Sequence, residues 1–178
     1  MRVLLISGST RNGSANSAAL LTAAELAPAG VTPVLYGGLA DLPAFNPDHD
    51  GDLLPPAAAG LRREIAAAAA VLFCTPEYAG TLPGSFKNLL DWTVGGGELY
   101  GKPVAWLNVA NPGRGGGAMA TLTSVLSYVG AAVVDSACRD IPVARDAVTP
   151  DGTVRDPRFT AAVAEVWDAL LAHGGAAS

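Results

Sequence analysis

The chain has 178 residues and a mass of 17.9 kDa; half of its residues are hydrophobic and 15% are charged. That balance excludes intrinsic disorder, and the length reads as one domain spanning residues 1–178, since a fold of about this size buries roughly 70% of its unfolded-chain surface. The formal net charge of −5, with Lys87 and Lys102 as the only lysines, argues against nucleic acid or an anionic membrane surface as a partner.

Arg2–Ser7 is an apolar, β-rich run that stops at Gly8. It is too short for a signal segment with a cleavage site and reads as a buried strand. After a polar loop, Asn16–Ala27 carries Ala and Leu at helical spacing and stops near Pro28 and Gly30. Val31–Tyr36 is a second strand. Gly37–Pro56 is a long polar loop, of a kind that is usually functional or interfacial. Ala57–Ala68 reads as a helix, with Pro55 and Pro56 at its start. Ala70–Cys74 is a third strand, apolar enough to be buried on both faces. Ser85–Trp92 is helical, Pro103–Val109 is a fourth strand and Ala118–Val129 is a helix. Ala131–Val134 begins a fifth strand directed towards Ile141. Pro157–Ala172 closes the chain as an amphipathic helix with Phe159, Val163, Val166 and Leu170 on one face, and the tail after His173 is read as frayed. No apolar stretch is long enough to span a membrane.

Short apolar strands alternating with helices imply a parallel sheet covered on both faces. Five strands fit a flavodoxin-like three-layer α/β/α sandwich with strand order 2-1-3-4-5, better than a six-strand dinucleotide fold. In such sheets ligands bind beyond the carboxyl ends of the strands. Three loops leave those ends near the sheet centre: Gly8–Ser17, Thr75–Gly84 and Ala110–Gly117. Cys74 and Cys138 form no CxxC pair, so a disulfide framework or structural zinc is not expected and a reducing, cytoplasmic setting is. His49 and His173 lie far apart and make no metal cluster. No Ser-His-Asp set, Cys-His set or GxSxG motif is present.

The first loop joins a strand to a helix whose N-terminal amides suit a phosphate. Ser9 and Ser14 offer hydroxyl donors, and Arg11 offers a charge-assisted fork. Asn16 or Ser17 is placed to cap the helix and to reach a ligand. The competing reading is an ordinary capped helix after a Gly-rich turn. Ser14 stands where a Walker loop needs lysine, and GxGxxG is missing.

Gly8-Ser9-x-Arg11-x-x-Ser14-x-Asn16 resembles the flavin-phosphate loop of the NADPH-dependent FMN reductase family. Thr75-Pro76-Glu77-Tyr78-Ala79-Gly80 with Pro83-Gly84, Lys87-Asn88 and Asp91-Trp92 is similar to that family's PEYN-x-x-x-PG-x-LKN-x-x-DW. Leu42-Pro43-Ala44-Phe45-Asn46-Pro47-Asp48 resembles a further family segment. The resemblance covers roughly residues 2–135. Ala79 departs from the usual Asn, which implies one lost side-chain hydrogen bond near the flavin ring, and Phe86 departs from the usual Leu.

The resemblance implies an FMN phosphate held by Ser9, Arg11, Ser14, Asn16 and Ser17. It implies a flavin ring and ribityl chain against Pro76, Glu77, Tyr78 and Ala79, with Ala110, Asn111 and Gly113 at the pyrimidine edge. Arg114, Arg11 and Asn12 are candidate contacts of NADPH or NADH, the electron donor. Competing readings are a surface aromatic at a subunit contact for Tyr78, a structural carboxylate for Glu77 and a solvated arginine for Arg114. Lys87, Asn88 and Asp91 read as helix support or subunit contact, and Trp92 as core or interface. The implied chemistry is hydride transfer from NAD(P)H to FMN and then electron transfer to a small-molecule acceptor such as a quinone, with no catalytic side chain. Family members are typically dimers or tetramers, so a homodimer or homotetramer is expected. The rivals are a flavodoxin-type FMN electron carrier without NAD(P)H oxidation and an FMN-free interaction module.

Overall fold

In the computed structural model, which describes residues 1–176, six strands and five α-helices alternate along the chain. They are β1 (Arg2–Ser7), α1 (Ala15–Glu25), β2 (Thr32–Tyr36), α2 (Pro56–Ala67), β3 (Ala70–Cys74), α3 (Gly84–Asp91), β4 (Pro103–Asn108), α4 (Gly116–Tyr128), β5 (Ala132–Val133), β6 (Arg139–Asp140) and α5 (Pro157–Ala176). All pairings between these strands are parallel, in the order β2-β1-β3-β4-β5, with β6 also on β4. The sequence reading of a flavodoxin-like sheet in this order is therefore met.

The alternation of side chains along a strand sends neighbouring residues to opposite faces. Val3 and Leu5 of β1 pack with Leu72 and Cys74 of β3 against α1 and α5. Leu4 and Ile6 pack with Val71 and Phe73 against α2, α3 and α4. Every residue of β3 is buried. The buried face of α5 includes Phe159, Val163, Val166 and Leu170, as its periodicity requires, and adds Trp167, whose Nε1 donates to the Ala23 carbonyl at 3.0 Å.

Two expectations change at the C-terminal end. The fifth strand is not continuous towards Ile141: a 3₁₀ turn at Asp135–Ala137 splits it into β5 and β6, both on the same edge of β4. The turn lets the buried Ala137 drop into the core while Ile141 recovers the ladder by donating to the Asn108 carbonyl. The tail does not fray at His173; α5 runs to Ala176, and Gly174 lies against Met1. The rest of that tail, 177–178, lies outside the described residues. Among the described residues no helix is long and apolar enough to cross a membrane.

The loop 37–55 carries two 3₁₀ turns and is pinned from α3. Asn88 accepts from the Phe45 amide at 2.7 Å and donates to the Pro43 carbonyl at 2.9 Å. Trp92, fully buried, donates to the same carbonyl and meets Phe45 edge-on at 5.0 Å. Trp92 is thus core, as read from the sequence. Asn88 is a loop anchor rather than plain helix support. Lys87 and Asp91 form the expected i, i+4 pair at 2.5 Å.

A second anchor is Arg62 of α2. It pairs with Asp50 from the loop, lies 3.7 Å from a Glu98 oxygen and donates to the Trp92 carbonyl at 2.7 Å. The three side chains are only 11–14% exposed, and Glu98 Oε2 is buried with no partner. Two carboxylates therefore depend on one guanidinium. Arg62→Ala is expected to lower stability by roughly 3–5 kcal/mol, because removing one member of a buried ion set strands the others. Urea unfolding checks this; a midpoint within error of wild type would contradict the anchor.

Candidate functional site

β1, β3 and β4 end level with one another: Ser7 pairs with Cys74, and Cys74 with Leu107. The three loops that follow therefore leave the sheet side by side. Gly8 is in closest contact with the second loop, since a Cβ there would lie 2.1 Å from Thr75 Oγ1.

In the first loop Ser14 is the N-cap of α1, with extended backbone; its Oγ accepts from the Ser17 amide at 3.0 Å. This corrects the expectation that Asn16 or Ser17 caps the helix: both already lie inside its first turn, and a cap must precede it. Ser7, Ser14 and Ser17 link through their hydroxyls at 2.9–3.0 Å, and Ser9 Oγ accepts from the Arg11 amide at 3.3 Å. The amides of Ala15 and Asn16 find no backbone acceptor, as expected for a first helical turn. Asn16 is 8% exposed; its Oδ1 accepts from the Cys74 thiol at 3.4 Å, and its Nδ2 has no partner among the described residues.

The second and third loops are clamped together. Glu77 Oε2 accepts from the amides of Gly117 and Ala118 at 2.7 and 3.2 Å, so its carboxylate caps the positive end of α4. Glu77 is thus a structural carboxylate. Gly117 is required by close approach: a Cβ there would sit 2.0 Å from the Gly80 carbonyl oxygen. Thr81 and Thr121 share a hydroxyl contact at 2.9 Å. Tyr78 and Thr81 exchange both backbone hydrogen bonds around Ala79 and Gly80, whose φ values are +50° and +76°. This is the two-residue hairpin turn that favours Asn-Gly. The Asn expected at position 79 by resemblance thus has a backbone reason, since Ala lacks the local hydrogen bonding that eases a positive φ.

The arrangement leaves a cavity of about 350 Å³ above the strand ends. It brings together Asn16, Pro76, Glu77, Ala110 and Asn111 from the sequence-derived set, with Arg114 at its rim. A second groove of about 410 Å³ adjoins it and takes Arg11. Ser14 and Ser17 lie in the helix cap. Ser9, Tyr78, Ala79 and Gly113 line neither hollow, and Tyr78 is 54% exposed. Val143 and Arg145, which do line the hollows, were not among the sequence candidates. They follow β6 and belong to no crossover loop, so no motif marked them.

The donor set suits a flavin mononucleotide. Unsatisfied amides at a helix start and Arg11 match a phosphate. The side-chain amide of Asn16, which lines the cavity, and the backbone of two loops match the edge of a flat heterocycle. Neither thiol is poised as a nucleophile, because burial pushes Cys74 well above the ordinary thiol range and Cys138 up to about 11.

The sequence model described as NADPH-dependent FMN reductase matches residues 1–143, and the chain belongs to that family. It is 43% identical over 122 residues to an NAD(P)H-dependent FMN reductase of Pseudomonas aeruginosa; the match takes in 67% of this chain and 65% of that protein, just under two thirds of its length. It is 34% identical over 145 residues to a quinone reductase of Pseudomonas putida, covering 80% of this chain and 75% of the relative. Among solved structures it resembles a flavoenzyme NAD(P)H:(acceptor) oxidoreductase from Paracoccus denitrificans, with 30% identity, a TM-score of 0.76 and coverage of 97% and 98% of the two chains.

Two expectations follow from this geometry. Ala79→Asn is expected to raise stability by roughly 0.5–1 kcal/mol through relief of the positive φ, read as a higher urea midpoint. The fold holds the Cys138 proton up to about pH 11, whereas an unperturbed thiol loses it near 9.0. This contribution is complete below pH 9 and is lost as pH rises through 11. Wild-type protein should therefore lose more stability than Cys138→Ala between those values in parallel denaturation series.

Proposed function

We propose that the chain is an NAD(P)H-dependent FMN reductase that passes electrons on to a quinone-like or other small-molecule acceptor. The observation that carries this reading is the convergence of three loops on one cavity beside the unsatisfied first turn of α1 and Arg11. When bound, FMN supplies the hydride-accepting and electron-releasing chemistry.

The protein's part is position and electrostatics. Arg11 and the amides of Ala15 and Asn16 would hold the phosphate, with Ser9, Ser14 and Ser17 shaping the turn and cap that present them. Asn16, Pro76 and the backbone of Glu77, Ala110 and Asn111 orient the ring system, with Ala79 and Gly113 shaping the turns beside it. Tyr78 is exposed on its hairpin and lines neither hollow. Arg114 draws the phosphates of the dinucleotide, because its guanidinium stands at the rim without an ion-pair partner among the described residues. Glu77 is committed to α4 and moves no proton.

The chain works as one domain and assembles as a homodimer or homotetramer. Support for assembly comes from Tyr78, Leu53 and Val94, apolar side chains left 54–73% exposed. A cytoplasmic setting fits its two free cysteines.

Purified protein is expected to bind FMN with a yellow, flavin-type absorption that NADPH or NADH bleaches under anaerobic conditions without any partner protein. Addition of a quinone should restore the colour. FMN binding with no bleaching would make it an electron carrier, and no FMN binding at all would remove the flavin reading.

A further inference from the structure

We propose that Arg145 is an additional ligand of the flavin-nucleotide phosphate, acting with Arg11 across the groove over the first turn of α1. The inference rests on the flavin reading above and extends its site to a segment that follows the residues matched by the family.

The groove holds Arg11 and Arg145 on its walls, with Gly13 and Ala15 at the start of α1 and no carboxylate among its lining residues. Ala15, Asn111 and Val143 also line the 350 Å³ cavity, so the two hollows share a wall. Neither Arg11 nor Arg145 has a side-chain partner among the described residues. That is unlike most cations of this protein: Arg2, Arg62, Lys87, Arg139, Arg155 and Arg158 each face a carboxylate. Two guanidinium groups that face one groove without a counter-charge repel each other, and a dianion between them removes the repulsion. The unsatisfied amides of Ala15 and Asn16 and the positive end of α1 add to the same potential. The buried Asn16, whose Nδ2 lacks a partner, opens on the adjoining cavity. A phosphate monoester attached to a planar body satisfies both hollows at once; a carboxylate offers fewer oxygens and half the charge.

Arg145 is held where it can act. Ile141 donates to the Asn108 carbonyl at 2.8 Å and Val143 to the Val109 carbonyl at 3.1 Å, which lays the segment beside the third loop. A 3₁₀ turn at Arg145–Ala147 follows, and Val148 bridges Val154. The carboxylates of this region are engaged elsewhere: Asp140 accepts from Asn108 Nδ2, Asp151 from the Thr149 and Thr153 hydroxyls, and Asp156 from Arg158. The neighbouring Asp146 does not line the groove.

The test is a comparison of FMN with riboflavin, which lacks the phosphate. Full-length protein freed of flavin is titrated with each, and quenching of flavin fluorescence gives Kd. Arg145→Ala is expected to raise the Kd for FMN about tenfold and to leave that for riboflavin within about twofold. The salt dependence of FMN binding should flatten in the variant, because one screened charge contact is gone. Arg145→Lys should recover part of the FMN affinity; if the alanine variant does not fold, Arg145→Lys and Arg145→Gln carry the comparison. An unchanged FMN Kd overturns the proposal, including the case in which only the KM for NADPH rises and Arg145 serves the dinucleotide instead. Equal weakening of FMN and riboflavin also overturns it, since a loss that ignores the phosphate is structural. Wild-type protein that binds neither flavin refutes the flavin reading itself, and this inference with it.

Discussion

Parallel strands buried on both faces all point the same way, and this direction governs the rest of the molecule. β3 has no exposed residue, and β1 and β4 flank it in register, so three chain crossings finish at one level. Each crossing must turn there, and each turn ends in a helix whose first amides have no acceptor within the helix itself. The fold therefore concentrates unsatisfied donors at one end of the sheet. Function is available at that end because the backbone cannot satisfy itself there.

Two of these helix starts are treated differently. The start of α4 is closed by the chain itself, through the Glu77 carboxylate and the close contact of Gly117 with Gly80. The start of α1 is only half closed: Ser14 satisfies Ser17, while Ala15 and Asn16 remain open next to Arg11. A protein carboxylate already occupies the place an anion would take on α4. The free positive end is that of α1, and the two cationic side chains of the adjoining groove sit beside it. The same clamp holds the second loop against the third, which keeps the wall of the cavity from depending on a flexible hairpin.

The face of the sheet that carries α2 and α3 also braces the long loop after β2. Asn88 and Trp92 of the α3 segment hold Pro43 and Phe45, and Arg62 holds Asp50. The motif that runs from Pro76 to Trp92 thus has two tasks. Its first half shapes the cavity, and its second half ties down the long loop between β2 and α2. A motif read only as ligand-binding conceals the second task.

Much of the architecture was legible in the order of residues. Apolar runs of strand length set between helix-length patterns define a parallel sheet, and the glycine-, serine- and proline-rich turns after β1, β3 and β4 mark the end where the cavity lies. Asn16, Pro76, Glu77, Ala110 and Asn111 were identifiable for that reason, as was the burial of Trp92. The tertiary structure alone decided the capping role of Ser14, the commitment of Glu77 to α4, the break between β5 and β6, and the presence of Val143 and Arg145 beside the site. These depend on which distant groups meet in space. A chain pattern records periodicity and turn chemistry, which are local, whereas the pairing of a carboxylate with a helix start forty residues away, or the placing of two arginines on one groove, exists only once the sheet has brought them to the same edge.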